Sequence, residues 1–268
     1  MVRDRRPIPR TWCALIGAAL IVLPAIVLAA RADDVGIDEK LGARIPLDLR
    51  FNDETGQPVA LRQLIDKPTV LTLNYFRCAG ICTPQLNDLV RTLNQVPIEP
   101  GKDFQVITVS FDSTDTPEIA AGKRTNYLRL LQRPFPPAAW RFLTGDDASI
   151  EALAAAVGFG FKKDRDQFIH PGALIVLSPE GKVTRYMYGI TYLPADLQMA
   201  VREAAGGLAR PSISKALSFC FSYDPSGRRY VVNFTRIAGA ISLLLVAGFA
   251  AVTLLTGRAR GGTERAQS

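Results

Sequence analysis

Two long apolar runs stand near the ends of the chain, and a mixed segment with strand and helix patterning lies between them. The first run, Trp12 to Ala30, follows Arg3, Arg5, Arg6 and Arg10 and contains Pro24. Ala30-Arg31-Ala32 fits an A-x-A cleavage site, and Asp33-Asp34 follow it. Residues 1–32 therefore read as a signal peptide cleaved after Ala32; the length of the run leaves an uncleaved signal anchor as the alternative. The second run, Ile237 to Thr256, carries no charge. Its roughly 20 residues are enough to cross a bilayer core of roughly 30 Å as a helix. It is apolar all round, which favours a transmembrane helix over a buried core helix.

Between the runs the pattern alternates. Ile45 to Leu61 predicts a β-hairpin turning at Asp53-Glu54-Thr55-Gly56. Thr69 to Phe76, bounded by Pro68, predicts a buried strand, and Phe104 to Phe111 a second one. A helix is expected from about Pro84 to Asn94, with Thr83 as N-cap. Asp115-Thr116-Pro117-Glu118 starts another helix, which runs to about Leu131. Trp140 to Leu143 reads as a short strand, Asp147 as the cap of a helix through Val157, and Phe161 to Ile169 as a loop. Ala173 to Ser178 and Lys182 to Tyr188 form a hairpin around Pro179-Glu180-Gly181. Pro194 to Ala204 closes as a helix. Strand–helix–strand–helix, then hairpin and helix, predicts an α/β thioredoxin-like fold with a central mixed sheet and one extra strand and helix between its halves. The expected organisation is a domain over 33–210, a linker over 211–236, a transmembrane helix over 237–256 and a tail over 257–268.

Charge changes the picture of location. The formal net charge is +7, of which residues 1–32 carry +4 and the tail beyond Thr256 carries +2, leaving +1 for everything between. The central domain is near neutral and offers no basic patch for phosphates, so no nucleic-acid partner is expected. Arg258, Arg260 and Arg265 favour a cytoplasmic tail, with residues 33–236 in the periplasm or outside. That side is oxidising.

The candidate chemistry is a small set. The chain holds four cysteines, Cys13, Cys78, Cys82 and Cys220, and one histidine, His170. Four cysteines are too few for a disulfide-framed miniprotein, and one histidine excludes any site needing two from the same chain. Cys13 reads as apolar filler. Cys220 has no assigned role. Cys78 and Cys82 fall between a buried strand and a helix start, where backbone N–H groups and the helix dipole favour a thiolate. At i and i+4 on a helical turn they share a face. They can hold one soft ion, form a redox pair or form a structural disulfide. His170 ends the loop that faces this corner in a thioredoxin-like fold. Two thiolates and one imidazole suit Cu(I), or Cu(II) with an added donor, whereas zinc wants a fourth ligand. Asp112 and Asp115 fall near the same rim, with helix capping as the other reading of Asp115. Tyr75 stands three residues before Cys78, where a peroxiredoxin-type site would place Thr or Ser.

Across about residues 41–206 the chain resembles the SCO/SenC family of copper proteins for cytochrome c oxidase assembly. The resemblance is carried by Asn74-Tyr75-Phe76-Arg77-Cys78, Cys82-Thr83-Pro84, Ser110-Phe111-Asp112, Asp115-Thr116-Pro117 and His170. It implies a thioredoxin-like domain that binds copper through Cys78, Cys82 and His170. It further implies a metallochaperone that metallates the copper-site subunit of cytochrome c oxidase, or a thiol-disulfide oxidoreductase that reduces that subunit's cysteines. Two positions depart from the family's common pattern: Ala79 follows the first cysteine in place of proline, and Pro171 follows the histidine in place of a small polar residue. The stretch around Phe219-Cys220 resembles a subgroup with a C-terminal anchor.

Overall fold

The computed structural model describes residues 35–78, 80–211, 221–224, 229–232, 238–239 and 241–248. A five-stranded sheet organises the domain. Its members are β4 (Thr69–Asn74), β5 (Gln105–Ser110), β6 (Trp140–Leu143), β10 (Ala173–Leu177) and β11 (Val183–Tyr188). The order across the sheet is β11-β10-β4-β5-β6. β4, β5 and β6 run parallel, and β10 is antiparallel to both β4 and β11. The mixed sheet matches the expected thioredoxin-like layout.

Strand periodicity of two divides the core between the two faces. Val70, Val106, Leu174 and Val176 belong to one cluster. Leu71, Ile107, Val109, Ile175 and Leu177 belong to the other. The first face is covered by α2 (Cys82–Gln95), α3 (Pro117–Arg129) and α5 (Pro194–Ala205). α2 contributes Leu86, Leu89, Val90 and Leu93, a stripe with helical spacing, and α5 contributes Leu197, Ala200, Val201 and Ala204. The second face is covered by α4 (Asp147–Ala156) and by the N-terminal hairpin β2 (Arg50–Asn52) and β3 (Pro58–Ala60), continued by the short α1 (Leu61–Leu64). Each fully buried aliphatic side chain contributes about 1.5–3 kcal/mol of transfer free energy. The hairpin turn forms where expected: Asp53 Oδ1 accepts from the backbone N–H of Thr55 and Gln57, and Gly56 adopts φ 81°.

Several boundaries differ from the sequence reading. β4 ends at Asn74, so Tyr75 and Phe76 lie in the following turn. α2 begins at Cys82 with Ile81 as N-cap, so Thr83 is inside the helix. α3 is capped by Thr116, whose hydroxyl accepts from Ile119 N–H, and not by Asp115. α4 is capped by Asp146, not Asp147. In both helices the capping oxygen must come from the residue that is still extended, and only the structure fixes which one that is. The stretch Phe161 to Ile169 is not a loop: β8 (Lys162–Asp164) and β9 (Gln167–Ile169) pair antiparallel, with Arg165 at φ 55° in the turn. Before it, β7 (Phe159–Gly160) pairs with β1 (Gly36–Ile37).

The apolar first run lies outside the described residues, as do Cys13, Cys220 and the tail. Within the stretch read as linker, β12 (Phe221–Asp224) and β13 (Arg229–Val232) form an antiparallel pair. Residues 238–239 and 241–248 are helical, while Ile237, 240 and 249–256 lie outside the described residues. Among the described residues no helix is long and apolar enough to cross a membrane.

Candidate metal centre

The site forms where β4 gives way to α2. Asn74 ends the strand, Tyr75 and Phe76 turn the chain, and Cys78 emerges half-buried. Cys78 therefore lies in the loop and not on the helical face that its spacing from Cys82 suggested. Cys82 is the first residue of α2 and is 3% exposed. Ile81, the N-cap, brings no side-chain acceptor to the helix start. The Cys78 sulfur fills that place, accepting the Gly80 N–H at 3.2 Å and also the Cys82 N–H. These orphan donors favour an anion.

Hydrogen bonding from the Cys82 thiol is the largest influence on Cys78 and pulls its pKa down to about 3, against burial, which opposes it. The Cys82 backbone N–H acts in the same downward direction. Cys82 moves the other way: burial, then the neighbouring Cys78 sulfur, push its thiol well above the usual range. One sulfur is thus a partly accessible thiolate, and the other is a buried thiol that keeps its proton.

His170 comes from the far side of the sequence, at the end of β9, and is 2% exposed. Its Nε2 lies 3.3 Å from the Cys82 Sγ. Its Nδ1 lies 3.0 Å from the Pro171 carbonyl oxygen. A carbonyl can only accept, so Nδ1 carries the proton and Nε2 is left to face the sulfurs. The ring is walled by aromatic side chains, with centroids at 5.0 Å to Phe111, 5.9 Å to Tyr75 and 6.2 Å to Phe159. Pro171, a departure from the family pattern, supplies through its backbone the acceptor that orients the ring. Ala79, the other departure, lies outside the described residues.

One donor atom each from Cys78, Cys82 and His170 lie within 4.8 Å of one another. Two sulfurs and an imidazole with its Nδ1 proton fixed make a soft donor set, suited to a thiophilic ion. Asp112 and Asp115 do not join it. Asp115 Oδ2 accepts from the Phe76 N–H at 2.6 Å and the Ser110 hydroxyl at 2.7 Å, and its Oδ1 accepts from Arg77 Nε at 3.1 Å. Asp112 reaches the same guanidinium at 3.4 Å, and Thr114 also receives it. The two carboxylates tie down the turn that carries Cys78.

Sequence reading named Asn74, Tyr75 and Arg77 as part of the motif that carries the resemblance but gave them no role at the centre, and it missed Gln85. Tyr75 donates its hydroxyl to Gln167 Oε1 at 2.7 Å and closes the β8–β9 hairpin over the site. Gln85 carried a signal, being, like Thr92, a polar residue on the mostly apolar buried stripe of α2.

A thioredoxin-like domain with a Cys/Cys/His cluster at the strand-to-helix corner is the class that fold and site define. Similarity to known proteins narrows it. The sequence pattern of the SCO1/SenC family matches residues 38–205. The chain belongs to that family. The SCO1 protein homolog of Bacillus subtilis (strain 168) is 27% identical over 154 residues, covering 54% of this chain and 75% of that protein. A crystal structure from Aquifex aeolicus VF5 is 30% identical, with a TM-score of 0.57 over 62% of this chain and 95% of that one. ScoI of Arabidopsis thaliana, solved with copper bound, shares the fold at 20% identity and a TM-score of 0.50, covering 62% of this chain and 99% of that one.

Proposed function

We propose that this protein binds one copper ion through Cys78, Cys82 and His170 and delivers it as cargo to the copper-site subunit of cytochrome c oxidase. The observation that carries the reading is the convergence of the three donor atoms within 4.8 Å, with His170 lying 88 positions from Cys82 and still farther from Cys78. Soft thiolates select Cu(I), and the imidazole completes a three-donor set that leaves the ion accessible to an incoming thiolate of the recipient. Family membership and the copper-bound relative support the choice of metal and client. The apolar runs and their flanking arginines support a membrane-anchored protein whose domain faces the periplasm or outside.

Copper analysis of the full chain tests the reading. The expected stoichiometry is one copper per chain, and Cys78→Ala, Cys82→Ala and His170→Ala each weaken binding at least about 10- to 100-fold. A His170→Ala protein that holds copper as tightly as the wild type overturns the three-donor assignment.

A second reading is favoured by the split between the two sulfurs. An accessible thiolate at Cys78 beside a protonated Cys82 is the arrangement of an attacking and a resolving thiol. In that role the pair reduces a client disulfide: Cys78 forms the mixed disulfide, Cys82 displaces the client thiol, and two electrons pass to the client with one proton from Cys82 and one from solvent. It requires both cysteines but not His170. A reduction potential below about −300 mV marks an inert bridge and counts against it.

A further inference from the structure

A buried amide pair beneath the site touches all three segments that carry the proposed ligands. Asn74 and Gln85 are both fully buried. Asn74 ends β4, four residues before Cys78, and its Nδ2 donates to Gln85 Oε1 at 3.0 Å. Gln85 lies one turn into α2, three residues after Cys82. Its Nε2 donates to the Ala173 carbonyl at 2.9 Å and to the Tyr192 hydroxyl at 3.1 Å. Ala173 opens β10, three residues after His170. Tyr192 in turn donates to the Gly189 carbonyl at 2.7 Å, anchoring the arrangement to the end of β11.

A core amide costs free energy to desolvate and recovers it only when its polar atoms are paired. The Gln85 amide meets that condition with one acceptor and two donor contacts. An apolar side chain would fill the same space on the Leu86–Leu89–Leu93 stripe at no desolvation cost, but it would join no two segments. Asn74 Oδ1 is buried and meets no hydrogen-bond partner among the described residues.

We infer that Gln85, held by Asn74, is a positioning residue that clamps the His170 segment to the Cys82 helix and thereby sets the donor geometry of the metal centre. The inference rests on the copper reading of that centre. The amide fixes the first turn of α2 relative to the start of β10, and those two backbones hold Cys82 Sγ and His170 Nε2 at 3.3 Å. Without the Nε2 donor the β9–β10 connection loses its tie to α2. The imidazole is then released, while the Cys78–Cys82 spacing, set within one turn of chain, stays.

The test uses the full-length protein and two replacements of Gln85. Gln85→Met keeps the volume and removes every hydrogen bond. Gln85→Glu keeps the shape but presents an acceptor to the Ala173 carbonyl. Cu(I) affinity is measured by competition with a chromogenic chelator, alone and combined with His170→Ala. Both Gln85 variants are expected to weaken Cu(I) binding about 10- to 100-fold. Gln85→Met placed on His170→Ala is expected to add less than about threefold, because the two substitutions remove the same donor. Losses that multiply, or a Gln85→Met affinity within about threefold of wild type, overturn the inference.

A copper-free readout separates positioning from the function itself. His170 is the chain's one histidine, so its imidazole gives a single resolvable set of ¹H–¹⁵N signals. In the wild-type apo protein one sharp, slowly exchanging Nδ1–H signal is expected, and in Gln85→Met a broadened or fast-exchanging one. An unchanged signal overturns the clamp. If His170→Ala binds copper normally, the three-donor reading fails, and the imidazole signals still decide the clamp. Tyr192→Phe removes one acceptor of the amide without emptying the core, and provides the same readouts should both Gln85 variants fail to fold. It is then expected to weaken Cu(I) binding several-fold, and wild-type affinity together with an unchanged imidazole signal overturns the inference.

Discussion

At the scale of single residues, the two cysteines have opposite electrostatic fates. Reduced apo protein treated with iodoacetamide at pH 5.5 is expected to be alkylated at Cys78 and spared at Cys82, as read by peptide mass mapping. Equal modification of both overturns the assignment. The sign of the accompanying stability change follows from proton counting. Cys78 is lowered to about 3 and Cys82 is raised. The folded pair therefore holds one proton across the range in which the unfolded pair passes from two to none, near about pH 8.5. Below that pH the unfolded chain binds the extra proton. The contribution of Cys78 is then lost as pH falls towards 3. Above it the folded state binds the extra proton on Cys82, and stability declines as pH rises. Cys78→Ser removes the acid limb of this dependence. The carboxylate beneath the turn is equally specific. Asp115 has a fully buried side chain and accepts three hydrogen bonds, while Arg77 is 52% exposed. Asp115→Ala is expected to cost about 2 kcal/mol in denaturant unfolding, and Arg77→Ala less than about 1 kcal/mol.

At the scale of elements, helix and strand identity followed periodicity, and helix starts followed backbone geometry. Thr116 and not Asp115 is the extended residue before α3, with φ −105° and ψ 159°. Thr116→Ala is therefore expected to lower stability by about 1 kcal/mol through loss of the cap. Urea denaturation checks it, and an unchanged midpoint overturns the cap assignment. The same logic explains α2. Pro84 suggested a start at its own position, but proline is tolerated anywhere in the first turn, because the N–H it lacks has no intrahelical partner there. The helix could begin at Cys82, which buries that sulfur and leaves Cys78 outside. The β8–β9 hairpin was illegible for a different reason. Lys162-Lys163-Asp164 and Gln167 carry no apolar alternation, and the pairing is held by the aromatic cluster of Phe161 and Phe168 on Phe111.

At the scale of the whole molecule, one sheet with a core on each face holds the metal corner at the ends of β4 and β10. The proposed anchoring is tested at this scale. Full-length protein is expected in the carbonate-resistant membrane fraction, and a chain ending at residue 236 in the soluble fraction if the first run is cleaved. A full-length protein that washes off in carbonate overturns the C-terminal anchor. The sequence by itself determined the α/β class, the order of the main-sheet strands and their helices, and the short set of candidate metal-ligating side chains. Each of these follows from local periodicity or from a census in which histidine occurs once. Only the tertiary structure decided that His170 meets Cys82, that Asp115 secures the turn, and that Gln85 joins the segments. Those contacts bridge 88, 39 and again 88 positions. Local pattern encodes which side chains are buried, whereas the packing of distant elements decides which buried polar groups face one another.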